Sequence, residues 1–346
     1  MICLSHDTAI KFWLNSKHNP TLYSKVDSKM LEKCCSFLPD TVADSSIINE
    51  SKESGHVCSP YAQYKNVALH LLLPNKSKRQ NYANVNNHVS SSEMPRSVLY
   101  KISDNVLVVS PEFALLQTCV SKTIPEIVKI ACELNATFSA VDYEPASSDI
   151  DDTHIDQARF AGKLLQREPA SSVESMNRLA ESVVSFHGIK KFRRAVEHVP
   201  SGSAASPMEI SLALLLSLPS GYGGFGLPKP KFNADVLLSE DAAGIYGHSK
   251  CVCDLLWEER KVDIEYNSDA MHANTAQMLR DSERALALEC DGYRVVSVTK
   301  QQLFDRARAM RVACQVGKML GRRVRIQRKD FDVLQMQLLH VLGLRK

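Results

Sequence analysis

The apolar pattern divides the chain into two unlike halves. The first half is irregular. Residues 1–35 read as helical, because "HDTAIKFWL" spaces Ala9, Ile10, Phe12 and Trp13 along one helix face. "NVALHLLLP" (66–74), "VLYKI" and "NVLVVS" (98–110) are short runs rich in branched apolar residues and predict strands. Ser110-Pro111 then predicts a helix start, with the Ser oxygen as N-cap and Pro in the first turn. "PEFALLQTC" and "PEIVKIACEL" continue as helices, and 141–152 and 165–172 read as polar loops. A basic helix, "GIKKFRRAVEHV", leads to "PSGSAAS" (200–206), the best linker candidate.

Beyond residue 206 the pattern is regular. Ser206-Pro207 opens a strongly apolar helix, and "PSGYGGFGLPKPKFN" (219–233) is loop. Strands are predicted around Ala234–Leu238, Lys250–Trp257 and Lys261–Asn267. An amphipathic helix runs from Thr275 to Glu289 and stops at Asp291-Gly292. "YRVVSVT" is a strand, and Thr299 caps another helix ending near Gly321. The order is helix, three strands, helix, strand, helix.

A length of 346 residues fits two domains or three small ones. The expected division is an α+β domain over 1–150, a helical connector over 151–202, an α/β domain over 203–330 and a tail helix over 331–346. A formal net charge of +3 does not itself imply nucleic acid, but its distribution is uneven: Glu133 to Glu174 is acid-rich, whereas Arg306 to Lys346 is basic. No apolar run approaches the roughly 18 residues needed to span a bilayer, which predicts no membrane partner. "MICLSHDTAIKFWL" lacks the pattern of a secretion signal, so a cytoplasmic location with reduced thiols is expected for the ten cysteines. None forms a CxxC pair, which argues against a zinc ribbon or finger. Cys251 and Cys253 read as ordinary strand residues.

Candidate chemistry lies on the hairpin "CDLLWEERKVDIEYN". An even-numbered turn over Glu258–Lys261 pairs Trp257 with Val262 and sets Asp254 opposite Glu265. Opposed Cβ atoms lie roughly 4.5–5.5 Å apart, where two carboxylates repel. A Mg²⁺ ion removes that repulsion; a different register, with both acids in water, is the alternative. Glu209, in the first turn after Ser206, fits a capping box and could also turn toward a metal.

The pattern S-P-x-E … D-L-x-W-x(7)-E-Y-N … R-D-x-x-R-x-x-x-L-x-x-x-G-Y-x-V resembles the PD-(D/E)XK nuclease fold, and within it the very-short-patch-repair-like endonuclease domains. The resemblance covers about residues 203–305 and is carried by Glu209, Asp254, Leu255, Trp257, Glu265, Tyr266, His272, Asp281, Arg284, Leu288, Gly292, Tyr293 and Val295. It implies a restriction-endonuclease-like domain with a central mixed sheet flanked by helices. It implies Mg²⁺ or Mn²⁺ on Asp254, Glu265 and Glu209, with Asn267 and His272 in the catalytic set. It also implies DNA contacts from Arg280, Arg284, Arg322 and Arg323. The chain departs from the family after the acidic strand, where Asn267-Ser268 replace the usual Asp-Gly or a lysine two residues beyond the acid. Asn267 cannot supply positive charge, and Lys261 lies about 13 Å along the strand from Glu265 at about 3.3 Å per residue.

Residues 5–140 resemble AbiEi-type antitoxin proteins, without a sharp motif. His6, His18, His56, His70 and His88 are scattered without metal-ligand spacing, and "GYGGFG" precedes no P-loop lysine-serine. Three functions therefore stay open: a metal-dependent endonuclease, a catalytically inactive DNA-binding regulator of antitoxin type, and a domain that binds a protein partner or a second copy of itself.

Overall fold

The computed structural model describes residues 1–36, 68–81, 85–90, 93–144, 163–267 and 275–345. It is a mixed α/β structure that divides into two compact units, Met1–Glu197 and His198–Lys346. No helix among the described residues is long and apolar enough to cross a membrane.

The first unit is built on a six-stranded mixed sheet. Its strands are β1 (Ile2–Leu4), β2 (Ser24–Val26), β3 (Leu69–Leu73), β4 (Val85–Val89), β5 (Leu99–Lys101) and β6 (Val106–Val109), in the spatial order β2-β5-β6-β1-β3-β4. Residues 1–35 are therefore not helical throughout, because β1 precedes α1 (His6–Leu14) and β2 follows it. An apolar run of three residues carries no period, and only its pairing with β6 on one side and β3 on the other makes Ile2–Leu4 a strand. β6 is buried along its whole length, as a central strand requires.

Ser110 accepts the Phe113 amide at 3.2 Å and Pro111 sits in the first turn, so α2 (Pro111–Thr118) starts where the sequence places it. α1, α2 and α3 (Ile124–Leu134) pack together around Trp13 and Phe113, both fully buried. The Trp13 indole N–H donates to Val109 O at 2.8 Å, so its one polar atom is satisfied within the core. A second, two-stranded sheet joins β7 (Phe138–Glu144) to β8 (Lys163–Gln166), so parts of the expected loops at 141–152 and 165–172 are strand. α4 (Val173–Ser182) and α5 (Ile189–Val196) complete this unit.

The second unit holds a five-stranded mixed sheet of β9 (Ser201–Gly202), β10 (Lys231–Leu237), β11 (Lys250–Trp257), β12 (Val262–Asn267) and β13 (Arg294–Thr299), in the order β13-β12-β11-β10-β9. β10, β11 and β12 form an antiparallel meander, and β13 lies parallel to β12. Residues 200–206, expected as a linker, instead contribute β9, which pairs in parallel with β10.

α6 (Pro207–Ser217) is buried from Met208 onward and packs against β11 and β12, as its all-round apolar sequence demands. α7 (Glu240–Tyr246), missed in the sequence because it is a short polar helix, packs against α8 (Thr275–Cys290). Beneath α8, Leu288 joins Ala234, Val236, Cys251, Cys253 and Leu256 in one apolar cluster. The expected single helix after Thr299 is broken at Asp305 into α9 (Lys300–Phe304) and α10 (Arg306–Met319). α11 (Phe331–Val341) packs back onto the unit: Ser211 Oγ donates to Leu342 O at 3.0 Å in the interior. The glycine-rich loop has a packing role, since a Cβ on Gly223 would lie 2.4 Å from Leu334 O.

Candidate active site

The turn Glu258–Lys261 has four residues, and Trp257 does pair with Val262. Leu255 pairs with Ile264, so Asp254 and Glu265 fall in register beyond the last hydrogen-bonded pair. The strands separate at that point. The Tyr266 amide no longer pairs across the ladder but donates to Asp254 Oδ2 at 2.9 Å. On the other side, Asn233 in β10 has φ +42°, in the left-handed region that Asn tolerates better than most residues. The sheet is thus distorted on both flanks of Asp254.

Glu209 reaches the same region from the start of α6. Its residue is 6% exposed, and its carboxylate accepts Ala205 N–H at 2.9 Å and Asn233 Nδ2 at 2.7 Å. Asn233 also donates to Ser203 O at 3.0 Å, which fixes its amide orientation. Burial raises the Glu209 carboxyl above the ordinary value, and these hydrogen bonds oppose the rise.

Asp263 is the residue that the sequence did not single out. It lies two positions before Glu265 on β12, hence on the same face. Asp263 is 0% exposed, and no N–H donor reaches either of its carboxylate oxygens, whose hydrogen-bonding neighbours are the Glu265 carboxyl and the Cys253 thiol; Glu265 Oε1 is likewise buried without an N–H donor. Cys253 Sγ and carboxylate oxygens of Asp263 and Glu265 lie within 4.8 Å of one another. The acid-bearing set gathered at that distance is therefore Cys253, Asp263 and Glu265, not the expected Glu209, Asp254 and Glu265. The reason is local: Glu209 is drawn toward the α6 start and Asp254 toward the Tyr266 amide.

Arg284 of α8 crosses to this face. It donates to Glu265 Oε2 at 2.5 Å and to Val252 O at 3.0 Å. One cation thus stands among several acids, and the remaining repulsion appears in their proton affinities. Asp254 is pushed up to about 7 by burial, then by Glu265 and Glu209. Glu265 is raised by burial and by the adjacent Asp263 carboxyl, and Asp263 is raised chiefly by burial. Burial likewise holds the Cys253 thiol far above its usual range, so the sulfur is a thiol and the anionic donors are oxygens.

The other expected residues are dispersed. Lys261 donates to Asp291 O at 2.9 Å, closing the end of α8, and takes no part in the acid cluster. Asn267 ends β12 in an exposed position. Arg280, Arg322 and Arg323 are exposed. His272 lies outside the described residues. No family model matches the chain, and neither does any curated protein or solved structure. Function must be argued from the cluster itself.

Buried carboxyls without donors are costly unless they are protonated or bound to a cation. Oxygen donors at close quarters suit a hard divalent ion. The Asp263 and Glu265 carboxyls fit such an ion better than the Cys253 thiol does, and Asp254 lies across the hairpin from Glu265.

Proposed function

We propose that the second unit is a metal-dependent endonuclease domain of the PD-(D/E)XK type, acting on DNA phosphodiesters. The observation that carries this reading is the buried set of mutually repelling carboxyls at the mouth of the β11–β12 hairpin. The element order supports it: a helix, an antiparallel three-stranded meander, a helix, and a strand parallel to the third.

Asp263 and Glu265 would hold Mg²⁺ or Mn²⁺, with Asp254 and Glu209 at the edge of the set. A bound cation supplies charge stabilisation at the phosphate and a water of lowered pKa. Asp254, poised at about 7, is the proton acceptor suited to neutral pH, and its Oδ1 is the oxygen not engaged by Tyr266. Arg284 orients Glu265. The exposed arginines Arg280, Arg322 and Arg323 give the phosphate backbone a cationic surface, which supplies much of non-specific DNA affinity.

Incubation of supercoiled plasmid with the protein and Mg²⁺ or Mn²⁺ tests this directly. Nicking by the wild type and none by Asp254→Ala, Glu265→Ala is the expected result; equal cutting by both discards the site.

One observation favours a second reading, a non-catalytic DNA-binding regulator of antitoxin type. Both lysines of the hairpin are engaged away from the acids, Lys261 with Asp291 and Tyr293 and Lys250 with Asp235, and Arg284 already neutralises Glu265. Metal-independent, salt-sensitive DNA binding without cleavage is the result that selects it.

A further inference from the structure

Three histidines of the first unit, without any spacing in sequence, converge in space. His6 is the first residue of α1, His70 lies on β3 and His88 on β4. β3 and β4 run parallel with His70 beside Asn86 and Leu72 beside His88, so His70 and His88 are diagonal neighbours on one face. His70 Nδ1 and His88 Nε2 are 2.8 Å apart, and the His6 ring stacks on His88 with centroids at 3.6 Å. One nitrogen from each of the three rings lies within 4.8 Å of the others. All three residues are half-buried, so the cluster borders solvent.

We propose that His6, His70 and His88 form a three-histidine site for a transition metal of the Zn²⁺ class, with water or an anion in the fourth position. Zinc–imidazole bonds of about 2.0–2.1 Å place tetrahedral donors about 3.3 Å apart, close to the observed spacing, and the stacked rings would turn about their side-chain bonds so that each in-plane lone pair meets the ion. Imidazole nitrogens suit Zn²⁺, Cu²⁺ or Ni²⁺ and not the oxygen-seeking Mg²⁺ of the other unit.

Metal-binding histidines are oriented through their second ring nitrogen. Here Ser5 Oγ lies 3.0 Å from His6 Nδ1, and the Asn86 side-chain amide 3.3 Å from His70 Nε2. Those contacts leave His6 Nε2, His70 Nδ1 and His88 Nε2 as the donors. The His70 nitrogen can release its proton to the other side of the ring if the Asn86 amide presents its oxygen, an exchange of O and N positions that costs no movement of the chain. The Asp7 carboxylate, paired with Lys122 at 2.9 Å, adds a nearby negative charge.

His6 supplies an independent sign. Its backbone has φ +48°, uncommon for a residue other than glycine. The conformation is held by the His6 amide donating to Gln117 Oε1 at 3.2 Å. Strain of this kind persists where the surroundings over-determine it, commonly at ligand sites. Burial and the neighbouring rings keep His6 neutral, and burial does the same for His70 and His88. Neutral imidazole is the ligating form.

The test uses the full chain stripped with a chelator, then titrated with Zn²⁺ against a chromophoric competitor and with Co²⁺ by visible absorption. One tight equivalent is expected, with a Co²⁺ spectrum lacking thiolate charge transfer. His88→Gln should weaken Zn²⁺ binding by at least about 100-fold, and Asn86→Leu by about tenfold. Cys253→Ser and the Asp254→Ala, Glu265→Ala double variant should leave it unchanged, which separates this site from the carboxyl cluster. Far-UV circular dichroism checks that each variant folds; should His88→Gln not fold, His70→Gln with Asn86→Leu decides. Absence of binding at micromolar Zn²⁺, or an affinity unmoved by the histidine variants, overturns the proposal.

Discussion

Both units bury ionisable side chains, but they treat them differently. In the first unit Lys129 and Glu133 form an i,i+4 pair at 3.0 Å, with side chains 3% and 1% exposed. Beside them Arg167 donates to five backbone carbonyls, those of Trp13, Glu133, Leu134, Phe138 and Glu168. Every charge there is met by a partner, which is how folded proteins make buried charge tolerable. In the second unit Asp263 is equally buried, no N–H donor or paired cation meets its oxygens, and its neighbours are the Glu265 carboxyl and the Cys253 thiol. A satisfied network holds a chain together. An unsatisfied one of a single sign is a place where something from solvent, a proton or a cation, completes the structure.

The largest expected effect breaks the satisfied network. Lys129→Met leaves Glu133 buried without its counter-charge and should destabilise the protein by about 3–5 kcal/mol. Urea unfolding followed by tryptophan fluorescence measures it, because Trp13 lies in that unit's core. The parallel change in the second unit should have the opposite sign. Asp263→Asn removes one repelling charge and offers a donor to Glu265, so the metal-free protein at neutral pH gains ~2 kcal/mol while metal-dependent cleavage is lost. A loss of stability in both variants would erase the contrast.

How much of this was legible in the sequence depends on distance along the chain. The hairpin register followed from a four-residue turn and period-two alternation, and the helix starts at Ser110 and Ser206 from cap chemistry. Asp263 was readable by the same alternation that placed Glu265, but "VDIEYN" offers no sign that the Asp263 face is covered by α8. Asn233 was invisible, because a left-handed residue inside a strand has no pattern. The histidines of the cluster are scattered in sequence. His6, His70 and His88 meet only through the sheet order β1-β3-β4, and β4, "VNNHV", is too polar to announce itself as a strand. His18, by contrast, has a local role, contacting Tyr23 Oη at 2.7 Å and stacking on Phe12.

Proton linkage gives the next measurement. The unfolded Asp254 carboxyl releases its proton near the ordinary value of 3.8, whereas the folded one keeps it to about 7. Between those values the native state binds more protons than the unfolded state, so stability falls as pH rises. The contribution is fully present below about pH 4 and gone above about pH 7. After discounting for the partial exposure of Asp254, the decline is on the order of 1–2 kcal/mol. Urea midpoints across this range in a chelator should fall with pH in the wild type and flatten in Asp254→Asn. Mg²⁺ should restore the midpoint mainly at the alkaline end, where the carboxylates are ionised. A midpoint that rises steadily with pH would mean the acids are ordinary, partnered carboxylates.

The smallest effect isolates burial from charge. Lys250 on β11 pairs with Asp235 on β10 at 3.2 Å, in the same sheet as the acid cluster, but both side chains are 59% exposed. Solvent screens such a pair and competes for each partner, so Lys250→Ala should change stability by no more than ~0.5 kcal/mol. The same unfolding experiment therefore tests one sheet twice, with a charge removed at an exposed position and at a buried one. If Lys250→Ala matched Asp263→Asn in size, net charge on the sheet would explain both, and the distinction between a satisfied and an unsatisfied interior would have no energetic content here. If only the buried site responds, desolvation governs the cluster. That is the condition under which a bound cation contributes most, because Coulombic attraction strengthens as water is excluded.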